Sequence, residues 1–171
     1  MSDSALDLDE LPYLVGRAWT LGDGIGAEQI LDPAHAGKDL AAGTFVLRGA
    51  LSAMTLQPGD FIVAGLDFGR GDATRATARA LRSIGAGAVI ARSFGERFVR
   101  CALHVGLPPL LVEETAAIKT GDRLRVDIEG HKVVNLSSGD RHVIRNIHGD
   151  ALDVLRAGGV AEYQAALRSR T

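Results

Sequence analysis

Four side chains near the middle of the chain, Arg70, Asp72, Thr74 and Arg75, have the types and spacing to handle a small carboxylate. Arg70 and Arg75 could clamp it bidentately, Thr74 could donate its hydroxyl, and Asp72 could take a proton as general base. They lie in Gly65-Leu66-Asp67-Phe68-Gly69-Arg70-Gly71-Asp72-Ala73-Thr74-Arg75, where Gly69 and Gly71 bend the chain before a helical stretch. A glycine loop entering a helix presents unpaired backbone N–H groups at the positive end of the helix dipole, which suits a carboxylate or phosphate. Each residue also has a plain structural role open to it. Asp72 and Thr74 are good helix N-caps, and Arg75 begins a row with Arg79 and Arg82 that reads equally as a solvated or partner-facing stripe.

The elements around the loop must position it. Phe61-Ile62-Val63-Ala64 before it and Ala88-Val89-Ile90-Ala91 after it are continuous apolar runs, so the piece between them fits a βαβ crossover. The helix of that unit runs from about Thr74 to Ile84, with Ala76, Ala80, Leu81 and Ile84 expected on its packed side. A second helix is expected over Phe94 to Val105, stopped by Gly106 and Pro108-Pro109, followed by a buried strand over Leu110 to Val112. Beyond Gly121-Asp122 the period changes to two: Leu124, Val126 and Ile128 alternate with polar residues, and Lys132 to Leu136 and Arg141 to Ile144 continue as antiparallel strands. Two short helices, Ala151 to Arg156 and Val160 to about Arg168, flank Gly158-Gly159. The expected fold is α/β, one domain with a mixed sheet over residues 14–171, preceded by a loose acidic arm at 1–13.

Composition removes whole classes of function. The chain has 171 residues, 46% of them hydrophobic, enough for one domain with a sizeable core. A formal net charge of −2 and 5% aromatic residues give no case for nucleic acid. One cysteine, Cys101, excludes an internal disulfide and a Cys-rich metal or iron–sulfur site within the chain. No apolar run approaches the ~20 residues that span a bilayer, and the acidic start is unlike a secretory signal. A cytoplasmic enzyme, subunit or binding module is expected. His35, flanked by proline and glycine, could serve as acid or base or be a plain loop residue. His104 falls in the apolar second helix, where a core or interface histidine is the default. His131, His142 and His148 have no metal-ligand spacing, and Cys101 has no activating neighbours in sequence.

A set of short motifs carries a family resemblance. Gly16-Arg17-Ala18-Trp19, Gly22-Asp23-Gly24-Ile25, Gly65-Leu66-Asp67-Phe68-Gly69-Arg70-Gly71, Ala88-Val89-Ile90-Ala91-Arg92-Ser93-Phe94, Gly106-Leu107-Pro108 and Gly158-Gly159 resemble, in that order, the small subunit of 3-isopropylmalate dehydratase, itself similar to the swivelling domain of aconitase. The resemblance implies a swivelling β/β/α fold and a large cluster-bearing partner subunit that holds a [4Fe-4S] cluster, with this chain closing over a small carboxylate substrate. It also implies a hydro-lyase or isomerase inactive without that partner. The contents of the loop depart from the family pattern Phe-Gly-Cys-Gly-Ser-Ser-Arg-Glu. In ungapped register Asp72 and Ala73 replace the two serines, Thr74 the arginine and Arg75 the glutamate; one inserted residue would instead bring Arg75 onto the family arginine, though Ala80-Leu81 favours the ungapped register. His35 stands near the family's substrate-selecting loop. Two roles are therefore expected as alternatives: a catalytic small subunit with altered substrate preference, using Asp72 and Thr74 for chemistry and Gly69, Arg70, Gly71, Arg75 and His35 for binding, or a catalytically degenerate binding or regulatory subunit, with self-association possible.

Overall fold

A computed structural model describes residues 13–30, 56–72 and 74–170. His35 and nearly all of the expected N-terminal arm lie outside them. Seven strands form one mixed sheet: β1 (Leu14–Thr20), β2 (Phe61–Ala64), β3 (Ala88–Ala91), β4 (Pro109–Leu111), β5 (Arg123–Asp127), β6 (Lys132–Asn135) and β7 (Arg141–Val143), in spatial order β4-β3-β2-β1-β5-β6-β7. The neighbours β1 to β4 pair in parallel, while β1–β5, β5–β6 and β6–β7 are antiparallel. Among the described residues the α-helices are α1 (Ala27–Ile30), α2 (Thr74–Ser83), α3 (Glu96–Val105), α4 (Asp150–Ala157) and α5 (Val160–Ser169), with a short 3-10 helix at Thr115–Ala117.

The apolar run of β2 is buried on both faces, as a parallel strand covered on each side should be. Phe61 and Val63 point into a core inside the curl of the sheet with Leu124, Val126 and Val133, whereas Ile62 and Ala64 face a second core with Phe68, Leu81 and Phe98 from the loop, α2 and α3. The sheet curls until its two edges meet. The Leu111 N–H donates to Asn146 Oδ1 at 2.9 Å, Asn146 Nδ2 donates to the Pro109 carbonyl at 2.8 Å, and the Arg145 N–H donates to the Leu111 carbonyl at 2.9 Å. The backbone groups on the edge of β4 thereby find partners in the segment after β7.

Strand β1 is the hinge of the topology, since the parallel and antiparallel halves join on it. Gly16 is needed there because a Cβ would run into the Gly59 carbonyl. Asp60 fastens the same strand to β2: its carboxylate accepts the Arg17 N–H at 3.1 Å, Trp19 Nε1–H at 3.0 Å and the Gln57 N–H at 2.9 Å. Burial pushes the Asp60 carboxyl up, but these donors outweigh it and hold the group below the usual carboxylate range.

Two expectations need correction. Helix α3 starts at Glu96 and not at Phe94, because Phe94 bridges Phe68 and Gly95 is still extended. The packed face of α2 is also turned from the apolar side that hydrophobicity alone marks. Thr74, Thr77, Ala78 and Leu81 are buried, in i, i+3, i+4, i+7 spacing, along with Ala80, while Ala76 is only partly covered. The two threonines are tolerated because their hydroxyls meet partners: Thr77 Oγ1 donates to the Ala27 carbonyl at 3.3 Å, and Cys101 Sγ lies 3.8 Å from Thr74 Oγ1. At the far end of α3, Gly106 takes the left-handed conformation that ends the helix, and a Cβ there would strike the Gly158 carbonyl. Gly158 is needed for its own positive φ of +97° as the C-cap of α4, and a Cβ on Gly159 would meet the His104 carbonyl at 2.7 Å.

Candidate functional site

Because β1, β2 and β3 are parallel, the segments that leave them meet at one end of the sheet, the usual place for a ligand in an α/β fold. The loop after β2 is laced to both neighbours. Gly24 N–H donates to the Leu66 carbonyl and Gly69 N–H to the Ile25 carbonyl, both at 2.8 Å, and Ala27 N–H donates to the Arg70 carbonyl at 2.7 Å. On the other side Phe68 N–H donates to the Ser93 carbonyl at 3.0 Å, Gly95 N–H to the Phe68 carbonyl at 2.9 Å, and Asp67 N–H to Ser93 Oγ at 2.8 Å. Phe68 is anchored edge-on to Phe98 with ring centroids 5.2 Å apart. The loop is therefore a fixed structure on a buried aromatic base.

Its glycines meet real demands. Gly69 has φ +80°, and a Cβ would come within 2.5 Å of the Phe98 ring; Gly71 has φ +120°, and a Cβ would strike the Glu28 carboxylate. Asp67 adopts φ +58°, a left-handed conformation that Asp tolerates better than most residues.

The sequence-predicted side chains gather here but point in different directions. Arg70 is exposed with Nη1 3.6 Å from Asp67 Oδ2. Asp72 projects fully into solvent two residues ahead of α2, with Arg97 Nη1 3.6 Å from its Oδ1. Thr74 is buried as the first residue of α2, its hydroxyl toward Cys101. Arg75, Arg79 and Arg82 are exposed. The acid, the hydroxyl and the guanidiniums share one loop but form no hydrogen-bonded constellation among the described residues. His104 is exposed near the end of α3, so the core reading of that residue fails.

The structure adds residues that pattern reading passed over. Glu28 accepts the Asp72 N–H at 3.0 Å and sits against Gly71, so a carboxylate belonging to the chain itself occupies the turn. Asp23 supports the start of the loop by accepting the Leu66 N–H at 2.8 Å. Both are acids in the segment that follows β1, and their spacing from the loop in sequence hides the contact. Arg97 is the second residue of α3, and its acid partner becomes visible only once β3 and its exit are placed.

No family model matches the chain. The small subunit 1 of 3-isopropylmalate dehydratase from Archaeoglobus fulgidus is 34% identical over 160 residues, covering 91% of this chain and 99% of that protein. The corresponding small subunit 1 from Thermotoga maritima is 33% identical over 153 residues, covering 86% and 92%. The chain belongs to the 3-isopropylmalate dehydratase small-subunit family. A crystal structure of 3-isopropylmalate dehydratase from Methanocaldococcus jannaschii superposes with a TM-score of 0.80 at 27% identity, covering 92% of this chain and 98% of that one. The curled mixed sheet with its helices is accordingly the fold of this aconitase-type hydro-lyase family. Within it, this small-subunit homologue has no group of three or more His, Cys, Asp or Glu side chains suited to a metal ion among the described residues. Cys101, the one cysteine of the chain, faces a threonine hydroxyl, so its residues do not fit a [4Fe-4S] cluster. No helix among the described residues is long and apolar enough to cross a membrane.

Proposed function

We propose that the chain is the small subunit of a cytoplasmic aconitase-type dehydratase or isomerase, working on a small hydroxy carboxylic acid with a large subunit that holds the [4Fe-4S] cluster. The observation that carries this reading is the loop at 65–72, held in fixed shape by glycines at positive φ and by hydrogen bonds to both flanking segments while its polar contents differ from the family pattern. A retained frame with changed contents supports altered substrate preference rather than loss of the site. In this reading the exposed guanidiniums of Arg70 and Arg75 take a substrate carboxylate, Asp72 takes a proton, and the buried Thr74 hydroxyl serves once it turns from Cys101. Arg70 and Asp72 reach a ligand by leaving their present partners, which exposed pairs do at little cost.

The purified chain alone is expected to be inactive, with turnover appearing only on addition of a cluster-bearing large subunit. Activity without partner or iron would overturn the proposal.

The alternative, a non-catalytic binding or regulatory subunit, draws support from the same geometry, because Asp72 lies in solvent and Thr74 is turned to Cys101. Replacing Asp72, Thr74 and Arg75 together by alanine and assaying the reconstituted complex separates the two. A fall in kcat of about 100-fold or more with assembly intact supports the catalytic subunit. Unchanged turnover supports the alternative.

A further inference from the structure

The outer face of the parallel half of the sheet is covered, since Ile62, Ala64 and Val89 meet Phe68, Leu81 and Phe98 from the loop, α2 and α3. The antiparallel half turns Leu124, Val126 and Val133 into the other core, so alternate residues of β1, β5, β6 and β7 point outward. Register aligns them. Val15 stands opposite Arg125, Arg125 opposite Val134, and Val134 opposite Arg141, one row across four strands. On one side of that row Arg17 stands opposite Arg123, continued by Leu136, whose N–H donates to the Arg123 carbonyl at 2.7 Å. On the other lies Lys132, between Asp127 and Val143. Tyr13 ends the face, with Arg125 Cζ 4.8 Å from its ring centroid.

This face is both apolar and cationic. Of the six large apolar side chains that stand well into solvent among the described residues, four are here: Tyr13, Val15, Leu136 and Val143. The outward positions of the four strands carry five cations and one carboxylate, Asp127, which already accepts the Gly130 N–H at 2.8 Å. Arg17 is partly answered by the nearby Asp60 carboxylate. Arg123, Lys132 and Arg141 enter none of the ion pairs found among the described residues. Such a patch fits an acidic partner with apolar side chains, and a second copy of the same face would be repelled.

The chain carries a segment of that chemistry. Residues 1–12 contain four carboxylates, Asp3, Asp7, Asp9 and Glu10, and no base, with Leu6 and Leu8 interleaved and Leu11 following. The stretch 31–55, also outside the described residues, has two acids and two bases and lacks this bias. The acidic segment joins the face at Tyr13, and when extended it reaches roughly 40 Å, against about 15 Å across the four strands. Tethering sets its local concentration on the order of millimolar, so several weak exposed pairs acting together are enough.

We propose that the outer face of β1, β5, β6 and β7 is a docking surface for the chain's own acidic N-terminal segment. Leu6, Leu8 and Leu11 meet its apolar side chains, and the carboxylates between them meet Arg123, Arg125, Lys132 and Arg141. This docking is separate from the loop at 65–72 and stands whatever that loop does.

NMR on the isotope-labelled full chain, in about 50 mM sodium chloride where screening is weak, tests it. Expected are methyl NOEs from Leu6, Leu8 or Leu11 to Val15, Val134 or Val143, independent of protein concentration. In Asp7→Asn/Asp9→Asn/Glu10→Gln these NOEs should weaken about three-fold or more. That variant alters no residue of the sheet, so the result does not depend on how the sheet tolerates substitution. The same loss is expected in Arg123→Gln/Arg141→Gln with the amide spectrum of the sheet retained. Absence of these NOEs in the native chain, or NOEs unchanged in either variant, would overturn the proposal. NOEs found only between differently labelled chains in a mixed sample would put a second copy on the face and overturn it too.

Discussion

The carboxylate of Glu28 accepts the backbone N–H of Asp72 at 3.0 Å, across 44 residues of sequence. The bond fixes the second half of the glycine loop, where Gly71 leaves room for the carboxylate through its missing side chain. An acidic residue of α1 thus sets the shape of the turn that leads into α2.

Gly71→Ala is expected to destabilise the protein by about 1–3 kcal/mol, through strain at φ +120° and collision with Glu28. Adding Glu28→Ala should recover only part of that loss, because the collision is relieved and the backbone strain remains. Chemical denaturation of the single and double variants measures both, and full additivity would show that the two residues do not meet.

Thr74 offers a separate test. Its hydroxyl has a thiol 3.8 Å away, a weak partner, so Thr74→Val should change stability by no more than about 1 kcal/mol. In the assembled enzyme the same variant should lower kcat by about 100-fold, with Thr74→Ser keeping most of the activity. Steady-state kinetics on the reconstituted complex reads the difference, and equal turnover in all three would remove Thr74 from the chemistry.

Asp60 supplies an acid-dependent part of the stability. Its folded-state proton affinity is depressed, so its contribution is present above the usual carboxylate range and is lost as pH falls below about 4 through the folded value. Asp60→Ala should cost about 2–3 kcal/mol at pH 7, leaving the Trp19, Arg17 and Gln57 N–H groups without their acceptor, and should flatten the decline between pH 5 and pH 2. Trp19 is the only tryptophan, so its fluorescence in urea titrations reports on this site directly.

The seam depends on Asn146, which both donates to and accepts from the edge of β4. Asn146→Ala should cost about 1–3 kcal/mol and speed hydrogen exchange at Leu111 by tenfold or more, while amides in β2 stay protected. Equal exchange at Leu111 in both proteins would show that the seam closes without it.

Much of this architecture can be read from local pattern. Continuous apolar runs marked β2 and β3, period-two alternation marked β5, β6 and β7, and glycine punctuation marked the ends of α3 and α4. Strand β1 escaped that reading because Gly16 and Arg17 break its apolar pattern, and only its two pairing partners make it the centre of the sheet. The face of α2 was misjudged because threonine counts as polar in any periodicity, and its burial depends on hydroxyl partners in α1 and α3.

By itself the sequence determined the types of the elements from β2 onward, the place of the glycine loop between two buried strands, and the presence there of acid, hydroxyl and guanidinium groups. These follow from interactions within a few residues, which repeat with the period of a helix or strand. Only the tertiary structure decided that Glu28 holds the turn at Gly71 and Asp72, that Asp72 faces Arg97, that Thr74 turns to Cys101, and that His142 is enclosed at the seam. Contacts of that kind join residues tens of positions apart, and their partners are set by strand order, register and curl.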